Sequence, residues 1–341
     1  MQNRLCFSLW LAILFLRPPA EPVPKRPGNP RRIWIQSNQI QVKERMRMKK
    51  LTVIIPAYNN PEELRMTVDS ILGSDFPIEE LEILLCDDGS SPSLQGVAEE
   101  YAGRADVRHF WQEDQGFRPG TARNMGIRAA QGELCLFLDS GVIVTSGCLR
   151  EHWRLYREHG PKMVAIGYVY GNDLHSDLEE MRGIIRSHSP DQAAAVMEAR
   201  GMLEGRERDY AQCGDVLWRW QAPWIELWSL HFSAPTAFMR ENGVYFDEFF
   251  RTWGCEDNDF GIQLHSRGGK FVLGRDARAI HYPARVRSYD RLQNDPEFRA
   301  GWLKNKEYLR KKYPDHPLVQ MWLTEGGGAV KKLPLLEEAA E

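Results

Sequence analysis

The chain has 341 residues, 43% hydrophobic and 27% charged, with a formal net charge of −3. That is ordinary composition for a soluble globular protein, long enough for one large domain or two small ones, and the near-neutral balance gives no charge-based reason to expect nucleic acid as a partner. Its six cysteines (Cys6, Cys86, Cys135, Cys148, Cys213, Cys255) form no C-x-x-C pair, which argues against a zinc ribbon or a dithiol redox motif.

Residues 1–48 read differently from the rest. Arg4 precedes an apolar run from Leu5 to Leu16, and Arg17-Pro18-Pro19 follows. The run is shorter than the roughly 20 residues of a membrane span, and Arg17-Pro18-Pro19 is a poor signal-peptide cleavage region. From Pro18 to Arg47 the chain is rich in proline and basic residues without periodicity, which predicts disorder. The favoured reading is a disordered N-terminal extension or an over-extended start, with Met46 or Met48 opening the domain. A short membrane anchor through residues 5–16 and a secretory signal are the alternatives. Several cysteines sit inside apolar runs, as reduced core thiols do, so the expected compartment is cytoplasmic.

From Leu51 the order is regular. Leu51 to Pro56 predicts a buried strand closed by proline, which cannot donate to a ladder. Asn60-Pro61-Glu62-Glu63 predicts a helix start, with Leu64, Val68, Ile71 and Leu72 on its apolar face. Leu81 to Cys86 is a second strand, ending in Asp87-Asp88-Gly89-Ser90-Ser91. A helix through Tyr101, a strand at Val107 to Trp111, a helix at Thr121 to Ala130 and a strand at Leu134 to Leu138 follow. This alternation predicts an α/β fold with a mostly parallel sheet flanked by helices.

In such sheets ligands bind beyond the carboxyl ends of the strands. Pro56-Ala57-Tyr58-Asn59, Asp87-Asp88-Gly89-Ser90 and Asp139-Ser140-Gly141 all fall at such ends. No G-x-G-x-x-G opens the first helix and no P-loop string occurs, so dinucleotide and P-loop readings lose their main support. Beyond Pro161 the pattern loosens. Met163 to Val169 predicts a strand, Ser176 to Arg206 a charged, solvent-facing helical stretch, and Asp295 to Lys312 an amphipathic helix. Four tryptophans (Trp218, Trp220, Trp224, Trp228) fall in one window, and tryptophan clusters more often pack a core than face a ligand. Past Gly326 the chain reads as a flexible tail.

Val53 to Asn59, Asp87-Asp88-Gly89-Ser90, Ala122-Arg123-Asn124-Met125-Gly126 and Phe137-Leu138-Asp139, in this order, resemble the family 2 glycosyltransferases of GT-A fold. Trp253-Gly254-Cys255-Glu256-Asp257 resembles the W-G-x-E-D segment of chondroitin-polymerase and β-1,4-galactosyltransferase enzymes. The resemblance spans about Lys49 to Tyr289 and implies a single Rossmann-like catalytic domain over 49–325. Its donor half covers about 49–160 and its acceptor half about 161–325.

The resemblance also implies roles. Asp257 would be the general base and Glu256 would orient the acceptor; without it, both read as acids at a helix start. Asp88 would approach the uracil or ribose, although Asp-Gly is also a common turn pair. Pro56, Tyr58, Asn59, Gln115, Arg118, Arg123, Asn124, Asp139 and Trp253 complete the expected donor site. Arg118 and Arg123 are candidates to pair with phosphate, and either can equally be a surface ion-pair residue.

The departure is Asp139-Ser140-Gly141, where the family usually has D-x-D. Manganese or magnesium would then rest on Asp139 and His281, with diphosphate and water filling the shell. Taken alone, His281 is as readily a structural histidine. The expected function is inverting transfer of a hexosyl or N-acetylhexosaminyl group from a nucleotide sugar, UDP-linked by preference. The acceptor stays open between a sugar, a peptide and a natural product. A non-catalytic sugar-nucleotide-binding relative is the alternative; a nucleotidyltransferase lacks its glycine- and lysine-rich loop.

Overall fold

The structure, a computed structural model, describes residues 49–171, 176–283 and 288–337. The extension expected at 1–48, with its alternative anchor at 5–16, lies outside the described residues, as do 338–341 of the tail. Among the described residues no helix is long and apolar enough to cross a membrane.

Eight strands build one sheet: β1 (Leu51–Ala57), β2 (Leu81–Asp87), β3 (Val107–Trp111), β4 (Leu134–Leu138), β5 (Val142–Val144), β6 (Met163–Tyr170), β7 (His231–Pro235) and β8 (Lys270–His281). Their order is β3-β2-β1-β4-β7-β6-β8-β5. Parallel pairing joins β3, β2, β1 and β4 and also β6 with β8, while β7 runs antiparallel to both β4 and β6 and β5 antiparallel to β8. The sheet is therefore mixed and mostly parallel, as the strand-helix rhythm predicts.

The apolar runs explain themselves by period. In β1, β2 and β4, Ile54, Leu84, Cys86, Cys135 and Phe137 enter the core on one face of the sheet. Val53, Ile55, Ile83, Leu85, Leu134 and Leu136 enter the core on the other. Both faces are covered by helices, so these strands are apolar throughout instead of alternating. Helix Pro61–Leu72 packs on the second face through Leu64, Val68 and Ile71, and helix Pro119–Ala129 on the first through Ala122 and Ile127. Cys86, Cys135, Cys148 and Cys255 are free and buried, as expected of reduced core thiols.

Three expectations for the later half change. The stretch 176–206 carries two helices, Leu178–Ser187 and Pro190–Ala199, divided by a Ser189–Gln192 capping box. Its inner face is not solvent-facing, because Met181, Ile184, Ala193, Ala194 and Met197 form a third buried cluster with Tyr168 and Tyr170. The tryptophans also divide: Trp220 and Trp224 are core, but Trp218 is exposed beside Lys270 and Trp228 opens onto a cavity. Finally, the segment after Gly326, read as a flexible tail, folds into a short helix, Gly327–Lys331, whose Lys331 Nζ lies 2.5 Å from Glu226 Oε1. Leu336 N donates to Arg219 O at 2.7 Å, so main-chain bonding holds the end of the segment as well.

Candidate active site

Because β1, β2 and β4 are parallel, their carboxyl ends meet at one edge, and a cavity of about 940 Å3 opens there. Pro56, Tyr58, Asp88, Arg123, Asp139, Trp253, Glu256, Asp257 and His281 all line it, so most of the expected site converges.

On the β1–β2 side, Asp88 is buried with both oxygens engaged. Gln112 Nε2 donates to Oδ1 at 2.5 Å and Arg118 N donates to Oδ2 at 2.7 Å. Burial pushes its carboxyl above the usual range, against the pull of those two donors. Asp87, one residue earlier, accepts from Ser90 N, Leu94 N and the His109 ring, and so holds the turn instead of facing the cavity. Tyr58 is half-exposed and donates its hydroxyl to Asp114 Oδ2 at 2.9 Å; Asp114 and Phe117 line the same wall.

At the end of β4, Asp139 is half-buried and accepts from Arg123 Nη2 at 2.5 Å. Arg123 is buried, and its Nε and Nη1 have no hydrogen-bond partner among the described residues. A buried guanidinium with unused donors beside a cavity suits a phosphate or carboxylate. His281 ends β8 directly opposite Val142 of β5, which places it beside the Asp139 turn. Burial holds His281 below the ordinary imidazole value, although Asp139 acts in the other direction, so the ring is neutral and can ligate at pH 7. The chemistry of this pair fits a hard divalent ion that completes its shell with diphosphate and water, with Arg123 competing for Asp139.

Gly141 does not sit where a ligand was lost without consequence. It has φ +100°, donates its N–H to Thr67 Oγ1 at 2.8 Å and accepts from Tyr282 N at 2.8 Å. That backbone suits glycine and strains any other residue. The only trio of metal-capable side chains with converging ligand atoms among the described residues is Cys148, His152 and His231, which is fully buried and does not line the cavity. There the His152 and His231 Nε2 atoms lie 2.9 Å apart, and Ser233 Oγ lies 2.8 Å from His152 Nδ1, which accounts for the trio as a buried hydrogen-bond chain.

Helix Glu256–Ser266 brings its first turn to the same cavity through Glu256, Asp257 and Asn258. Acids suit that end because they face unpaired N–H groups and the positive end of the helix dipole. Burial raises both the Glu256 and the Asp257 carboxyl, and Asp257 pushes Glu256 further by repulsion, while Arg123 opposes both shifts. Glu256 Oε2 is buried without a partner. Asp257 instead accepts from Asn258 N at 2.8 Å. Both carboxyls are therefore held above the usual carboxylate range, and Asp257 has a backbone donor to support its charge where Glu256 Oε2 has none.

The turn that aims this helix is unusual: Gly254 has φ +93° and Cys255, a non-glycine, φ +76°. A left-handed cysteine costs about 1 kcal/mol or more and persists only when its surroundings hold it. Helix Pro296–Lys312 does so. Asn305, buried, places Nδ2 2.8 Å from Gly254 O, 3.0 Å from Thr252 O and 3.4 Å from Trp253 O. Phe298 stacks on Trp253 at 5.3 Å, and a Cβ on Gly254 would meet Trp302 at 2.9 Å. Further along, Lys312 reaches Asp259 at 2.8 Å, inside the helix Glu256–Ser266 itself.

Four expected donor residues do not line the cavity. Asn124 is fully buried and pairs with Phe246, its Nδ2 donating to Phe246 O at 2.8 Å and its Oδ1 accepting from Phe246 N at 2.9 Å. Arg118 supports Asp88 through its backbone and reaches Glu113 O with its side chain. Asn59, at φ +52°, bonds with Ser90 and Ser91, and Gln115 bonds with Arg118 and Glu113. All four hold the loops that carry the lining. Conversely, Asp114, Trp228, Ser229 and Trp302 line the cavity and Asn305 braces it without having been singled out. Trp228 was visible only as one of four tryptophans, and the others carried no local signal.

Residues 52–201 match the family described as Glycosyl transferase family 2. Over 235 residues the chain is 31% identical to validoxylamine A glucosyltransferase of Streptomyces hygroscopicus subsp. jinggangensis, covering 68% of this chain and 55% of that protein. It is 29% identical over 237 residues to the poly(ribitol-phosphate) β-N-acetylglucosaminyltransferase TarS of Staphylococcus aureus strain Mu50, covering 69% of this chain and 35% of that one. The chain thus spans about half the length of the first relative and a third of the second. Among solved structures, S. aureus TarS superposes with a TM-score of 0.51 at 19% identity, covering 81% of this chain and 45% of TarS. A 1–349 form of TarS in complex with UDP-GlcNAc superposes with 0.50 at 18% identity, covering 81% and 76%. The chain belongs to the family 2 glycosyltransferases, and its fold is of the GT-A type.

Proposed function

We propose that the chain is an inverting glycosyltransferase that moves a hexosyl or N-acetylhexosaminyl group from a UDP-sugar to an acceptor hydroxyl. The observation that carries this reading is the Glu256–Asp257 pair, two carboxyls raised by burial at a helix start that faces the same cavity as Asp88, Arg123 and Asp139. A base near neutral pH must be ionised yet still proton-hungry, and a raised aspartate meets both needs. The UDP preference is supported by the TarS relative, whose structure holds UDP-GlcNAc.

In this mechanism Tyr58, Asp88 and Asp114 face the nucleoside, and Arg123 faces the diphosphate through its unused N–H groups. Glu256, protonated, orients the acceptor by hydrogen bonding. Asp257 takes the acceptor hydroxyl proton as that oxygen bonds to the anomeric carbon. The bond from that carbon to the diphosphate oxygen breaks, and UDP leaves with its electron pair, inverting the configuration. Asp139 and His281 would hold manganese or magnesium, which supplies positive charge to the leaving diphosphate. The intact carboxylate pair, together with a glycine at 141 demanded by its own turn, weighs against a degenerate, non-catalytic relative. The deciding experiment measures UDP release from a panel of UDP-sugars with and without manganese. No release from any of them would end this reading.

A further inference from the structure

Trp228 lies on the acceptor side of the cavity, half-buried, outside the segment that matches the family. Its surroundings are built to hold it still. The Arg206 guanidinium lies 4.7 Å from its ring centroid and covers one face. Arg206 is itself fully buried, paired with Glu204 at 2.9 Å and bonded to the carbonyls of Glu226 and Gly167. Glu204 in turn accepts from Val169 N at 2.8 Å, so the chain of support ends in β6. Arg206 does not line the cavity, whereas Trp228 does, so the indole presents to the cavity what the guanidinium leaves uncovered.

The next residue, Ser229, lines the same cavity as Glu256 and Asp257, so the indole stands on a wall shared with the proposed base. Trp302, Leu178 and Leu292 line the same cavity. A buried ion pair is expensive to assemble and is weak evidence for stability by itself. Here it immobilises an indole that remains open to a cavity, which is the arrangement of a ligand platform and not of a core residue.

We infer that Trp228 is the acceptor platform and that the acceptor is a cyclic polyol, a pyranose or a cyclitol ring. This rests on the glycosyltransferase reading above. A saturated six-membered ring offers a face of C–H groups with partial positive charge, which packs on the electron-rich face or edge of an indole. Its hydroxyls lie around the rim, where one reaches Asp257 and a neighbour can bond to Glu256 Oε2, the buried oxygen without a partner. A linear polyol or an extended peptide has no such face to stack.

The test is saturation-transfer NMR on the full chain with UDP and magnesium present. The probes are methyl β-glucoside, myo-inositol, linear ribitol and a serine-containing peptide. Transfer to the ring C–H protons of the glucoside or of inositol is expected, with none to ribitol or the peptide; which ring responds separates a sugar from a cyclitol acceptor. Trp228→Ala should weaken that binding roughly tenfold, the scale of one aromatic stacking contact, and leave the UDP signal intact. Trp228→Phe should recover part of it. Equal transfer to ribitol or the peptide, silence of both rings, or rings unaffected by Trp228→Ala while UDP still binds would overturn the platform. Silence of UDP in the unmodified chain would overturn the glycosyltransferase reading instead, and the platform with it.

Discussion

The two walls of the cavity are held in opposite ways. On the wall proposed to hold the donor the carboxylates are satisfied, although Arg123 keeps two unused donors: Asp88 has both oxygens bonded, Tyr58 is tied to Asp114, and Asp139 is paired with Arg123. These groups sit on loops that directly continue parallel strands, so a few residues of turn place each one. On the acceptor wall Glu256 keeps an oxygen without a partner, Glu256 and Asp257 repel each other, and the turn before them runs through two left-handed residues. That wall is braced from a distance, by Asn305 on a helix some fifty positions later in the chain. Satisfied carboxylates make a binding surface that its own neighbouring loops can hold. Unsatisfied ones make a reactive surface, which persists only where another element restrains it.

The largest effect expected from breaking this contrast is at the base. Asp257→Asn should lower transfer by ~10²–10⁴-fold, the usual worth of general-base help, with UDP affinity nearly unchanged by calorimetry. Near wild-type turnover at saturating substrate would remove Asp257 from that role.

Next is the brace. Asn305→Ala removes the donor that gathers three carbonyls of the turn. Misaiming a base by about 1 Å can reduce rate on the order of 10²-fold, so kcat should fall by up to that much while the KM for donor holds. Thr252→Val, which removes only the hydroxyl donating to Asn305 Oδ1 at 3.2 Å, should give a smaller loss of the same kind. A matched loss of UDP binding would mean that Asn305 serves the fold generally.

The metal comes third. With Asp139 and His281 as its protein ligands, activity should need millimolar manganese or magnesium, an order-of-magnitude expectation for a site with one carboxylate. His281→Ala should raise that requirement further in initial rates against free metal, and full activity in excess chelator would refute the metal. Gly141→Asp sharpens the point. An added acid should strengthen the site on charge alone, but φ +100° makes the strain decide. The variant should lose ~1–3 kcal/mol of stability without a tighter metal requirement.

The smallest effects concern pH. Asp257 is raised by burial, so the acid limb of kcat/KM should lie above the value of about 4 for a free aspartate. Glu256 is raised as well, so the folded state holds a proton that the unfolded chain releases above a pH of about 4.3. Its ionisation therefore lowers stability as pH climbs from that point through its raised folded value. Glu256→Gln should raise the Tm at pH 8 relative to the unmodified chain, and the difference should fade at pH 4. A Tm gain independent of pH would show that charge is not its cause.

The amino-acid order by itself determined the strands and α-helices of residues 49–138, since doubly covered strands must be apolar throughout and their helices amphipathic; the strand Val142–Val144 and the helix Cys148–His159 carried no such reading. It also determined which polar turns meet at one edge, because parallel strands send all their carboxyl ends to the same side. Most of the candidate site was legible for that reason. The tertiary structure alone decided that Asn59, Gln115, Arg118 and Asn124 support the rim instead of lining it, since a polar side chain near a rim can turn to the cavity or to a neighbouring backbone. It alone decided that Trp228 leaves its cluster for the cavity, and that Asn305 clamps a turn far away in sequence. Periodicity and turn chemistry register only the nearest few residues, whereas a clamp, a platform and a left-handed cysteine exist through contacts between segments that no local pattern connects.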